Sequence, residues 1–258
     1  MVRRRNLIRV ILSLGLSLGA TTVLTCAPAA AAPPYGNNAA AGHTFVFNGN
    51  RFYYESYGNG APLLLIHGNG ESIKIFKGQI GAFSRRYRVI AMDSRGQGKS
   101  ELGTTALSYA QMSEDTNALL DHLMLAHVRV LGWSDGGIIG LLLAIHHPDK
   151  VGMLAVMGAN LQPDAAYSWA VDGVARLRKR VTSELATSHD PKRLQRQLQL
   201  LDLLGNQPHI PVSDLATIQA PTLVMAADRD VIRDEHTHSA YSMPFRSRSW
   251  RSSPALRT

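Results

Sequence analysis

The sequence holds a single cysteine, Cys26, in 258 residues. It lies in an N-terminal segment that reads as removable, so the remaining chain has no thiol. That excludes a cysteine nucleophile, a disulfide framework and thiolate metal sites. No pair of histidines has metal-ligand spacing with a carboxylate between, so no metal site is expected. There is no internal repeat, which excludes a solenoid. Past the first 32 residues there is no run long and apolar enough for a stable membrane span. An excess of one charge sign is also missing where it matters. Arg3, Arg4, Arg5 and Arg9, with Arg246, Arg248, Arg251 and Arg257, stand in end segments without acids and account for the whole formal charge of +8. Residues 33–242 are neutral, so nothing argues for a nucleic-acid partner.

What is present is a globular composition, 45% hydrophobic and 18% charged, enough for a sizeable core. Residues 1–32 combine a basic start, "MVRRRNLIRV", an apolar stretch and the small residues "APAAAA". This is the pattern of a secretory signal with a cut near Ala32, and "RRNLIR" fits a loose twin-arginine type. The protein is therefore expected to be exported, the alternative being a membrane anchor.

Residues 33–42, "PPYGNNAAAG", read as a flexible leader. A core over residues 43–160 then alternates strand and helix patterns. Two antiparallel strands meet at Asn48-Gly49-Asn50, followed by the buried strand "LLLIHG". A helix is expected over residues 72–83, a strand at "YRVIAMD" and a helix in "SYAQMSEDTNALLDHLMLA". The strand "VRVLGW", the helix "GGIIGLLLAIHH" and the strand "VGMLAVMGA" complete the run. The alternation implies an α/β fold with a doubly wound, mostly parallel sheet. It breaks over residues 161–214, which carry helical patterns only and read as a lid. "APTLVMAADRD" resumes the sheet in residues 215–258, of which 246–258 are atypical.

Gly132-Trp133-Ser134-Asp135-Gly136 is G-x-S-x-G between a strand and a helix. The turn is tight enough to force Ser134 into a strained conformation, and side chains two residues either side would collide, hence glycine at both. The hydroxyl then stands at the carboxyl edge of the sheet beside a helix N-terminus, which stabilises negative charge. "LLLIHGNG" ends a buried strand with small residues, so Gly68 and Asn69 are candidate oxyanion donors together with the N–H of Asp135. His67, Trp133 and Asp135 are candidate substrate contacts. The Asp135 carboxylate either faces the pocket, to pair with a cationic group, or caps the helix that starts there. Asp93, Arg95, Gly96, Gly98 and Ser100 of "MDSRGQGKS" are expected to hold the loop beneath the site.

On "HGNG", "DSRGQGKS", "GWSDGG" and "PTLVMAADRD" the chain resembles the α/β-hydrolase fold family over about residues 44–240, and within it small esterases and the biphenyl-hydrolase-like group. The resemblance implies about eight strands and a Ser–Asp–His triad in that chain order. Ser134 falls on the nucleophile and Asp230 on the acid, with Asp228 as the alternative. Epoxide hydrolases and haloalkane dehalogenases of the family need Asp at this corner, so Ser134 points to acyl transfer from a small ester or related acyl substrate. No cofactor is implied.

The family places its histidine 25 to 30 residues beyond the acid, in a G-x-x-H turn. The last histidine here is His238, and His236 and His238 follow Asp230 too closely. A C-terminal strand and helix are therefore expected to be missing or altered. Back-translated with GC-rich codons and read in another frame, residues 246–258 spell a strand-like run followed by G-x-x-H. The expectation is a shifted reading frame near residue 245, the alternatives a divergent tail or a degenerate gene. Two functions fit these residues: an esterase impaired by lack of its base, and a non-catalytic protein that binds an acyl ligand or a partner.

Overall fold

A computed structural model describes residues 33–227 and 230–232. The signal-like segment 1–32, Asp228, His236, His238 and the tail 246–258 lie outside the described residues. The first hairpin joins β1 (Gly42–Phe47) to β2 (Asn50–Tyr57). Asn48 and Gly49 form its two-residue turn with φ of 49° and 74°, the left-handed pair whose twist matches the flanking strands. Then come β3 (Ala61–Ile66), a 3-10 turn at Ile73–Phe76 running into α1 (Lys77–Phe83), β4 (Tyr87–Met92) and α2 (Tyr109–His122). These are followed by β5 (Val128–Trp133), α3 (Asp135–His146) and β6 (Val151–Met157). After the lid, β7 spans Thr222–Met225.

The sheet order is β1-β2-β4-β3-β5-β6-β7. β1 and β2 pair antiparallel, β2 pairs antiparallel with β4, and the other pairs are parallel. β3 and β4 are continuous apolar runs because helices cover both faces of a parallel sheet. Leu64, Ile66 and Ile90 point into the cluster under α2 and α3, while Leu63, Leu65 and Val89 point into the one under α1. α2 begins where Ser108 Oγ accepts the Gln111 N–H at 3.0 Å. It buries Met112, Thr116, Leu119 and Leu120, one stripe at helical spacing. α3 is buried along nearly its whole length, as its apolar sequence requires. Seven strands occur among the described residues; the eighth expected strand falls beyond them.

The lid region contains no strand. α4 (Ser168–Leu185) and α5 (Pro191–Asn206) are flanked by 3-10 turns at Pro163–Ala165 and Val212–Thr217. Asp190 accepts the Arg193 N–H ahead of Pro191, a fitting start for α5. Val181 of α4 packs with Leu194 and Leu201 of α5 in a cluster of their own. Leu200 and Leu203 on the other side of α5 belong to the main core.

The leader differs from its expected flexibility. Glu55 is fully buried in β2, and its carboxylate accepts the N–H groups of Gly36 and Asn38 at 2.8 and 2.9 Å. The Tyr53 and Tyr57 hydroxyls donate to the same carboxylate. Tyr35 sits edge-on to Tyr57, and Lys99 Nζ donates to Asn37 Oδ1. A buried carboxylate needs such donors, and the leader supplies two of them. No helix among the described residues is long and apolar enough to cross a membrane.

Candidate active site

Ser134 has φ 53° and ψ −120°, a conformation closed to most L residues that persists only where its surroundings enforce it. Here they do. Its N–H donates to Met157 O of β6 at 2.8 Å, and its C=O accepts from Gly137 and Ile138 as α3 begins. A Cβ on Gly132 would overlap the Gly136 carbonyl, and one on Gly136 would overlap the Ile66 carbonyl. The sharp bend demands glycine at Gly132, and the close approach of β3 demands it at Gly136. Ser134 is half-buried at the carboxyl edge of β5.

The loop after β3 closes on the same point. A Cβ on Gly68 would stand 3.2 Å from Ser134 Cβ and 3.3 Å from the Trp133 ring. Gly68 therefore lets the backbone approach Ser134, and half-buried Trp133 packs behind it. The Gly137 and Ile138 N–H groups at the start of α3 are taken by Ser134 O, and the Asn69 side chain reaches from the same loop to Asp135.

The loop is held from below as expected. Asp93, almost fully buried, accepts the Ile73 and Lys99 N–H groups. Ser100 Oγ donates to Asp93 O and accepts the Tyr53 N–H. Arg95 makes a two-pronged bond to Asp115 at 2.5 and 2.7 Å, both side chains buried, with Phe52 under the guanidinium. Burial raises the pKa of both Asp93 and Asp115. Gln97, not singled out in the sequence, accepts the Gly70 N–H at 2.6 Å and pins the loop after β3 directly. Its place inside "DSRGQGKS" was the available signal.

Two expected substrate contacts are corrected. His67 is 1% exposed. Its Nδ1 meets Gly68 O at 2.8 Å, and its Nε2 accepts the Ser94 N–H at 3.0 Å. Both nitrogens are occupied, and burial pushes the imidazole down to about 4, so His67 is a neutral tie between the ends of β3 and β4. Asp135 neither opens to the pocket nor serves as the cap. Its carboxyl is buried, Oδ2 accepts from Asn69 Nδ2 at 2.9 Å, and the Tyr109 hydroxyl lies beside it. Burial pushes this carboxyl up to about 6. The same Asn69 amide donates to Leu200 O of α5 at 3.2 Å. One side chain thus joins the loop after β3, the turn at Ser134 and α5.

Asp230 lies at the same edge as Ser134. Its N–H donates to Ala227 O, its Oδ1 accepts the Ile232 N–H, and its Oδ2 is 3.3 Å from where a Cβ on Gly158 would stand. Gly158 directly follows Met157, the residue that accepts the Ser134 N–H. Ser134 and Asp230 therefore flank one strand end, from the β5 and β7 sides.

Residues 61–255 match the sequence model of the alpha/beta hydrolase fold, and the chain belongs to that family. The match runs into the atypical tail. The chain is 34% identical over 115 residues to the soluble epoxide hydrolase of Corynebacterium sp. (strain C12), covering 45% of this chain and 40% of that protein. It is 32% identical over 118 residues to 3-oxoadipate enol-lactonase 2 of Acinetobacter baylyi, covering 45% and 44%. The chain thus spans less than half the length of these curated relatives. Among solved structures, MGS-M2, an alpha/beta hydrolase enzyme from a Medee basin deep-sea metagenome library, superposes with a TM-score of 0.71 at 18% identity, covering 82% of this chain and 89% of that one.

Proposed function

We propose that this protein is an exported serine hydrolase that cleaves carboxylic esters or related acyl substrates through an acyl-enzyme on Ser134. The observation that carries the reading is the strained Ser134 at φ 53°, ψ −120°, with Gly68 so close that a Cβ there would crowd it at 3.2 Å. In the proposed reaction Ser134 Oγ adds to the substrate carbonyl carbon and its proton passes to a general base. The carbonyl oxygen, now negative, takes hydrogen bonds from N–H groups of the Gly68–Asn69 loop and of Asp135, worth several kcal/mol in such sites. The C–O bond to the alcohol breaks, the alcohol leaves with that proton, and water then releases the acid from Ser134. Asp230 is the proposed acid of the triad, positioned to orient a histidine. His236 and His238 follow Asp230, neither at the family's spacing, so the proposal assigns the nucleophile and the acid and leaves the base to experiment. The epoxide hydrolase relative is named for a different bond; Ser134 favours the acyl chemistry. Export rests on the pattern of residues 1–32.

The test is p-nitrophenyl butyrate hydrolysis by the 258-residue chain and by Ser134→Ala. The expected result is a rate above the uncatalysed one that is lost in Ser134→Ala. Equal rates in the two proteins overturn the proposal in favour of a non-catalytic binding protein.

A further inference from the structure

A cavity of about 580 Å³ lies between the Asn69–Gly70 loop, α4 and α5, within the range of small-molecule sites. Its walls include Val174 and Leu177 of α4 and Leu200, Leu201 and Leu204 of α5. Trp169 stands at its edge with 59% of its surface exposed, a large apolar ring left facing solvent. Among the described residues that line it, Arg176 carries the only charge. Arg178 pairs with Asp202 at 2.5 Å and Arg193 with Asp190 at 3.8 Å, while Arg180 and Arg196, which do not line the cavity, have no carboxylate partner among the described residues. Arg176 has no carboxylate partner among the described residues. Its guanidinium turns back over Gly173, one helical turn earlier, with Nη2 4.0 Å from where a Cβ on that glycine would stand. The glycine leaves room for a cation to lie along the cavity wall.

We infer that this cavity is the acyl subsite and that it accepts an aliphatic chain ending in a carboxylate, the chain against the leucines and the far carboxylate on Arg176. The substrate class is then the half-ester of an aliphatic dicarboxylic acid, with the scissile ester at the Asn69 end. This inference rests on the proposed Ser134 chemistry for the position of the ester. No acidic side chain lines the cavity among the described residues, so nothing there repels the distal anion, and a planar guanidinium suits a carboxylate.

The test measures binding without turnover. The monomethyl and dimethyl esters of octanedioic acid, identical except for one charge, are titrated calorimetrically into Ser134→Ala at low ionic strength. The half-ester is expected to bind about fivefold tighter, the scale of a solvent-accessible ion pair. In Ser134→Ala/Arg176→Gln the preference disappears and the diester affinity stays the same. Ser134→Ala/Arg178→Gln, which removes a neighbouring charge paired outside the cavity, keeps the preference. Equal affinities in Ser134→Ala, a preference that survives Arg176→Gln, or no binding of either ester overturns the inference. Because binding does not use the Ser134 hydroxyl, failure of p-nitrophenyl ester hydrolysis leaves this result standing, and failure here leaves the hydrolase reading standing.

Discussion

At the scale of single residues, the site depends on groups held in states they would avoid alone. Asp135 is the clearest. Its carboxyl is buried and titrates at about 6 instead of its ordinary 3.8. Between those values the unfolded chain ionises and the folded one does not, so stability falls as the pH rises from about 4 to about 6. The loss is complete above that and amounts to at most about 3 kcal/mol. Asp135→Asn keeps the size and the acceptor that Asn69 needs, and removes the ionisation. The variant is expected to melt above the wild type at pH 7.5, with the gap closing towards pH 4. A gap that does not change with pH contradicts this account of Asp135. Its partnership was not legible in the sequence, because Asn69 lies 66 positions away and only the fold brings the two together. His67 was misread for a related reason. A polar residue beside a nucleophile looks like a substrate contact until both its nitrogens are seen to be taken by backbone.

At the scale of elements, what the sequence showed and what it hid divide by range. The apolar runs of β3 and β4 and the turn at Asn48-Gly49 are local signals, and the structure follows each. The turn was readable because the collision that demands Gly132 arises within one short stretch of chain, whereas Gly136 is demanded by the Ile66 carbonyl of β3, which only the fold brings near. The lid was readable as helical from the loss of strand patterning. Its division of labour was not, since both helices show similar amphipathic stripes. α4 packs on α5 through Val181, while α5 inserts Leu200 and Leu203 into the main core. Leu203→Ala is therefore expected to cost about 2–5 kcal/mol of global stability, seen as a drop in thermal melting. Val181→Ala is expected to loosen α4 and change the relative rates on short and long acyl esters, with a smaller effect on melting. If Val181→Ala lowers the melting temperature as much as Leu203→Ala does, the lid is a single cooperative part of the core and this division is wrong.

For the whole molecule, the leader and the site are joined through the sheet edge. Residues 36–38 satisfy the buried Glu55 in β2, and β2 reaches the loop under the site through the Tyr53 bond to Ser100. A chain that starts at residue 43 loses two of the donors to Glu55, whereas one that starts at residue 33 keeps them. The shorter chain is expected to melt several degrees lower, as befits a buried charge deprived of hydrogen bonds; equal melting temperatures contradict the role given to the leader. The small, polar composition of that segment suggested flexibility because its partner lies on another strand. The central claim is that the fold presents Ser134 as a nucleophile, and intact-mass and peptide mass spectrometry after treatment with a fluorophosphonate ester test it most directly. The account predicts a single adduct, on the peptide containing Ser134, and none in Ser134→Ala. No adduct on that peptide, or an equal adduct in Ser134→Ala, contradicts it.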